Sequence, residues 1–171
     1  MNTKLNRISL LLLVTVFSAF TAFAQEKFSD PNVEYEFMIP NDNWKMIVKP
    51  SEFSPNVEYV YKDRDQGYLQ IRKLSVDKDA TFSSILQDEE LKLQFMPGYV
   101  AGKEENFTGN YDGKVFNYEY VKAGKNMSGR NYYLRTDSTT VYALRFTGLK
   151  DSLRLLRNET DSIARTFTIK K

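Results

Sequence analysis

The residues of this sequence best placed to do chemistry are five carboxylates in two short runs, Asp88-Glu89-Glu90 and Glu104-Glu105. Two such groups, one protonated and one ionised, can divide the acid and base work of a hydrolase between them. The chain has no histidine and no cysteine. Composition therefore rules out a Ser-His-Asp triad, a thiolate nucleophile and any imidazole or thiolate metal site. The spacing favours a plainer reading of the acids, because adjacent residues on a helix point in different directions. Both runs are expected to be solvated acidic faces. A carboxylate hydrolase built on Glu89, Glu90, Glu104 and Glu105 ranks last among three functional readings, and no catalytic residue is assigned.

Asp63, Asp65 and Gly67 are spaced like part of a calcium loop. Gln66 precedes the glycine where an oxygen ligand is wanted, and no suitable Glu follows. An ordinary hairpin turn is the simpler expectation, so neither a metal site nor a cofactor is expected. Asn106-Phe107-Thr108, Asn126-Met127-Ser128 and Asn158-Glu159-Thr160 fit the glycosylation sequon, which is common by chance.

Tyr59 with Tyr61, Tyr118 with Tyr120, and Tyr132 with Tyr133 could form a stacking platform, which gives a small-ligand or glycan-binding domain as the second reading. Strands are rich in Tyr in any case, so these rings are expected mainly in the sheet core and at its rim. Trp44 is read in the same way, as a core or rim anchor.

The elements that would position these groups follow from periodicity. Val33–Ile39 alternates and stops at Pro40, and Trp44–Val48 resumes an extended pattern, so a hairpin is expected. Val57–Tyr61 and Tyr68–Leu74, flanking Asp63–Gly67, predict a second hairpin. From Asp79 the period becomes helical, with Phe82, Ile85, Leu86, Glu89 and Leu93 in phase, Asp79 or Thr81 as N-cap, and Pro97-Gly98 as the stop. Four further extended runs, 104–108, 114–122, 127–135 and 140–147, are joined by short polar links and predict an antiparallel meander. Leu149, Leu153, Leu156, Thr160, Ile163 and Phe167 form one helical stripe that must pack on a neighbour. Arg157, Asp161 and Arg165 on the same helix are spaced for surface ion pairs.

Two-residue strand alternation assigns faces to the meander. Phe116, Tyr118, Tyr120, Tyr132, Leu134, Tyr142, Leu144 and Phe146 are expected on an apolar face. Gln70, Arg72, Asn117, Glu119, Asn131, Tyr133, Arg135, Ala143 and Arg145 are expected on the opposite, polar face. Of these, Arg72, Asn117, Glu119, Asn131, Tyr133, Arg135 and Arg145 make a candidate partner-binding face, since Arg and Tyr are enriched at the energetic centres of interfaces. The competing reading is a solvent-facing ladder in which Glu119 pairs with an Arg.

The first residues carry a different signal. Lys4 and Arg7 precede an apolar run from Ile8 to Phe20 that is shorter than a membrane span and reaches Ala22-Phe23-Ala24 before Gln25. Residues 1–24 are expected to be a signal peptide cleaved after Ala24, and 25–171 a single α+β domain in the periplasm or outside the cell. The leader holds two of the 24 basic residues and none of the 22 acids, so the mature chain is neutral. A neutral domain with no basic block favours neither nucleic acid nor a membrane surface as partner. The first-ranked reading is therefore a non-catalytic interaction or assembly module whose partner is another envelope or secreted protein.

The run Phe37-Met38-Ile39-Pro40-Asn41-Asp42-Asn43-Trp44, the meander, and a final helix leading into Asp161–Ile169 together resemble the PsbP/DcrB superfamily. The likeness is in element order across residues 33–169. It implies an α/β/α sandwich and a partner-binding or assembly role, as in the photosystem and envelope-lipoprotein members. This sequence departs from the pattern in lacking the lipoprotein cysteine and any histidine that could serve as a metal ligand.

Overall fold

Alternating apolar residues build ten strands, and two stretches of helical periodicity build three helices, in a computed structural model that describes residues 25–171. The expected signal peptide and its cleavage site lie outside the described residues. The strands are β1 (Glu26–Ser29), β2 (Tyr35–Ile39), β3 (Trp44–Val48), β4 (Val57–Tyr61), β5 (Asp63–Ser75), β6 (Val100–Thr108), β7 (Asp112–Lys122), β8 (Lys125–Arg135), β9 (Thr140–Leu149) and β10 (Thr168–Ile169). The helices are α1 (Phe82–Leu93), α2 (Lys150–Leu155) and α3 (Arg157–Thr166).

Seven strands form one antiparallel sheet in the order β3-β4-β5-β9-β8-β7-β6, and β1-β2-β10 form a second, smaller sheet. The small sheet, α2 and α3 cover one face of the large sheet. Between them lies the main core, in which Phe28, Phe37, Tyr35 and Phe167 meet Leu69, Tyr142, Leu144, Phe146 and Tyr132. On the other face, Ile85 and Leu86 of α1 pack on Phe116, Tyr118, Tyr120, Met127, Tyr133, Val141 and Ala143. The protein is thus an α+β sandwich with helices on both sides of a mainly antiparallel sheet.

Four expectations are corrected. β2 and β3 do not pair with each other: β2 is held between β1 and β10, whereas β3 pairs with β4, Trp44 opposite Tyr61. Alternation marks a segment as extended without naming its partner, and the Pro40–Asn43 link turns the chain from one sheet into the other.

The β4–β5 reversal occurs at Lys62, whose φ is 61°. Asp63 is already paired with Tyr61, and residues 64–67 bulge out before Tyr68 meets Val60. The Asp63 carboxylate accepts from the Asp65 and Gln66 amides, both at 2.9 Å, and Asp65 pairs with Lys125 at 2.5 Å. Both acids are thus engaged within the bulge.

The C-terminal stripe is not one helix. Leu149 ends β9 and packs on the α1 side, and the helix breaks at Leu156 (φ −81°, ψ 4°) into α2 and α3. Leu153, Leu156, Thr160, Ile163 and Phe167 are nonetheless all buried. Arg157, Asp161 and Arg165 reach to the sheet instead of to one another: Arg157 pairs with Glu105, Asp161 with Arg130, and Arg165 donates to the Thr108 carbonyl at 2.5 Å.

The fourth correction concerns β7. Its turn to β8 has only two residues, Ala123 (φ 50°) and Gly124 (φ 73°), with Lys122 paired to Lys125. Both central residues are left-handed, as a type I′ hairpin requires. That turn sets even-numbered residues of β7 opposite odd-numbered residues of β8, so Phe116 faces Asn131 and Tyr118 faces Gly129. Phe116, Tyr118 and Tyr120 therefore lie on the α1 face, and Asn117 and Glu119 point to the α2/α3 side. Gly129 is needed at this crossing, because a Cβ there would fall 2.0 Å from the Tyr118 ring.

Candidate functional site

The four carboxylates weighed for a hydrolase are each tied to another group, and one of them, Glu89, departs from the expected solvated face. Glu89 is buried under α1, where it accepts from Lys92 at 2.6 Å and pairs with Arg145. Burial pulls its pKa upward, but the ammonium of Lys92 and the guanidinium of Arg145 outweigh burial and hold the carboxyl below its ordinary value. Glu90 accepts from the Tyr99 hydroxyl at 3.0 Å. Glu104 pairs with Lys114, and Glu105, on the opposite side of β6, pairs with Arg157. No two of them are set up as an acid and base pair. No group of three or more potential metal-ligating side chains occurs among the described residues.

The expected partner-binding face does not exist as one surface. Asn117 and Glu119 point to the other side of the sheet. Asn131 and Tyr133 are 1% and 0% exposed beneath α1. Arg145 is engaged by Glu89, and Arg135 donates to the Ala80 carbonyl at 2.6 Å with its guanidinium over the Phe82 ring. These arginines fasten α1 to the sheet. Of the members that do lie on this face, only Arg72 is well exposed. The tyrosines lie in the sheet core and at its rim, as expected, and form no stacking platform: Tyr59, Tyr118, Tyr120, Tyr132 and Tyr133 are core residues, and Tyr61 is half-buried.

The α2/α3 side carries a network that the sequence reading missed. Arg130 is buried on the apolar phase of β8, in step with Tyr132 and Leu134. Its Nε donates to the Tyr132 hydroxyl at 2.6 Å, one terminal nitrogen to Asn117 at 2.8 Å and the other to Asp161 at 3.0 Å. The Tyr132 hydroxyl donates to Asp161 and lies 3.0 Å from the Thr160 hydroxyl. Burial pushes the pKa of this phenol well above its ordinary value, which keeps it neutral. An arginine in phase with two apolar residues was the available signal, since a buried cation requires a partner.

Above this network runs a groove of about 260 Å³ between β6–β8 and the helical layer. Leu153, Gly102 and Gly129 contribute apolar surface, and Lys150, Arg154 and Arg157 stand around it with Arg130 within. Glu119 is the one acid in its lining. Lys150 pairs with Glu119 at 2.8 Å, Arg154 with Asp151 at 3.4 Å and Arg157 with Glu105 at 3.3 Å. These rim pairs are exposed and individually weak, so an incoming acid can replace them at little cost.

A second cavity, of about 360 Å³, opens where the small sheet meets β5 and β9. Tyr35 and Tyr142 line it, together with Asn32, Glu34, Asn56 and Ile71.

No family model and no curated protein matches the chain. Solved structures do. LpqN of Mycobacterium tuberculosis, described as involved in cell envelope biogenesis, is similar with a TM-score of 0.58 and 20% identity, over 86% of this chain and 92% of its own. Cyanobacterial PsbP from Synechocystis is similar with a TM-score of 0.56 and 14% identity, over 88% and 95%. A Pseudomonas aeruginosa protein of unknown function, described as a putative regulator, gives 0.54 and 12%, over 86% and 98%. At these identities the likeness establishes the fold, and the PsbP-like resemblance read from element order holds at that level. No helix among the described residues is long and apolar enough to cross a membrane.

Proposed function

We propose that this chain is an exported, non-catalytic interaction module of the cell envelope or extracellular space, and that it docks an acidic, partly apolar segment of another protein in the groove between β6–β8 and α2–α3. The observation that carries the reading is the construction of the groove. A buried arginine fixed by Asn117, Tyr132 and Asp161 stands beside an apolar floor, with Lys150, Arg154 and Arg157 at the rim. Arginine held in a well-packed, desolvated position is typical of binding hot spots. Exposed basic residues around such a position set on-rate and partner choice more than affinity. The role in envelope biogenesis given for LpqN supports the compartment and the kind of work.

The test is site-specific photocrosslinking in cells from position 154, with position 72 on the opposite face as control. A discrete adduct with an acidic envelope protein is expected from 154 alone, weakened by salt and by the double change Lys150→Glu, Arg157→Glu. Equal crosslinking from both positions, or none from 154, would overturn the docking site. Export is tested separately: the mass of secreted protein should correspond to a chain beginning at Gln25, and a mass retaining residues 1–24 contradicts it.

A further inference from the structure

We infer that a second copy of this chain occupies the groove through Glu52-Phe53, the tip of its β3–β4 loop, so that copies associate head to tail. The inference rests on the reading of the groove as a dock for an acidic, partly apolar segment, and names the chain itself as one source of such a segment. The first argument is the construction of the tip. Phe53 is 97% exposed, yet the loop that carries it is closed. The Ser51 amide donates to the Ser54 carbonyl at 2.8 Å, and the Ser54 amide returns a bond to the Ser51 carbonyl at 3.1 Å. Glu52 and Phe53 are therefore the two central residues of a tight turn, with Pro50 and Pro55 on either side. A turn already ordered in this way loses little conformational entropy on docking. Seven large apolar side chains are exposed among the described residues, and of these Phe53 alone has an exposed acid next to it in the chain and no cation.

The second argument is complementarity. Lys150, Arg154 and Arg157 stand exposed around the groove with Arg130 inside, against the single acid Glu119. A guanidinium forks onto a carboxylate with its edge and stacks on an aromatic ring with its face. Neighbouring arginines thus suit a carboxylate and a ring presented side by side. Arg154 and Arg157 now meet Asp151 and Glu105 at 3.4 and 3.3 Å in exposed pairs, which Glu52 can replace at little cost. A volume of about 260 Å³ lies below the usual range for ligand pockets and leaves room for the side chains of a turn tip.

The third argument is topology. In the order β3-β4-β5-β9-β8-β7-β6 the loop and the groove belong to opposite edges of the sheet, and β4 is about 19 Å from β7 at four strand spacings. The tip cannot fold back into its own groove. Contact between copies is then heterologous, leaving a free groove at one end of the assembly and a free tip at the other. One turn buries less than the roughly 1,200 Å² of stable complexes, so the association is transient, and a partner that takes the groove displaces it.

The experiment is sedimentation velocity of the purified chain over a rising concentration series. The average mass should climb with concentration at low salt and return to that of the monomer at high salt, where charge attraction is screened. Phe53→Ala and Arg154→Glu each replace an exposed side chain, should leave Tm unchanged, and should each hold the protein monomeric. An equimolar mixture of the two variants should form dimers and nothing larger, because each keeps the half of the contact that the other lacks. A monomeric wild type at every concentration, association that survives either change, or a mixture that stays monomeric overturns the inference. A crosslink from position 154 to an envelope protein, with the purified chain monomeric, overturns the self-contact and leaves the docking site standing. Association of the purified chain without such a crosslink does the reverse.

Discussion

Replacing Tyr132 with Phe deletes one oxygen and leaves the ring, which is fully buried against Phe107 and Phe146, in place. That oxygen accepts from Arg130 Nε at 2.6 Å, donates to Asp161 and contacts Thr160 at 3.0 Å. Hydrogen bonds to charged groups are each worth about 1.5–3 kcal/mol, and stranding a buried partner adds its desolvation cost. Arg130 keeps Asn117 and Asp161, so the loss stops short of a full broken ion pair. We expect a cost of about 3 kcal/mol, which in a domain of this size is a fall in Tm of roughly 6–12 °C. Tyr35→Phe deletes the same atom where it has no partner, and should leave stability unchanged or raise it by up to about 1 kcal/mol. Urea unfolding of both variants, monitored by Trp44 fluorescence, measures the difference. A cost below about 1 kcal/mol for Tyr132→Phe, or equal effects at the two sites, would refute the view that the Arg130 network is pre-organised by its tyrosine.

Arg145→Ala should cost about 2 kcal/mol by leaving Glu89 buried with Lys92 alone, and adding Glu89→Ala should recover part of the loss in a double-mutant cycle. Ala123→Gly should stabilise by roughly 0.5–1 kcal/mol, because an L side chain at φ 50° is strained and glycine is not; a lower denaturation midpoint would contradict that. Glu89 has a folded-state pKa below its ordinary 4.5, so its contribution to stability is complete above that value and is lost as pH falls through the lowered pKa. Glu89→Gln should accordingly flatten the acid limb of a stability-against-pH curve, and an unchanged limb would count against the pair.

Element types were largely legible. The Thr81 cap, with its hydroxyl accepting from the Ser84 amide at 3.2 Å, starts α1 within the expected window. The Leu153–Phe167 stripe buries the residues its spacing selected. Pairing was less legible, because Val33–Ile39 and Trp44–Val48 announce extended backbone and nothing in them specifies separate sheets. The face assignment failed at one strand for a specific reason: the runs 114–122 and 127–135 leave the position of the reversal open, and a two-residue turn at Ala123–Gly124 sets the β7 phase one residue away from the one assumed, which reverses every side chain on it. That single shift displaced Asn117 from its true neighbour Arg130 and hid the groove. The Tyr35 cavity could not be read from sequence at all, since it forms between segments more than a hundred residues apart in the chain, Glu34 beside Tyr142.

The bracketing of β2 by β1 and β10 ties completion of the small sheet to residues more than a hundred positions away along the chain. Thr168 and Ile169 pair with Glu36 and Tyr35, and the Lys170 amide donates to the Glu34 carbonyl at 2.8 Å. Without β10, β2 would pair only with β1 and keep one open edge. Phe167, fully buried beside Tyr35 and Tyr142, joins the same distant segments. The main core is thus held shut by contacts between segments far apart in sequence, so loss of 167–170 would open both the small sheet and the core.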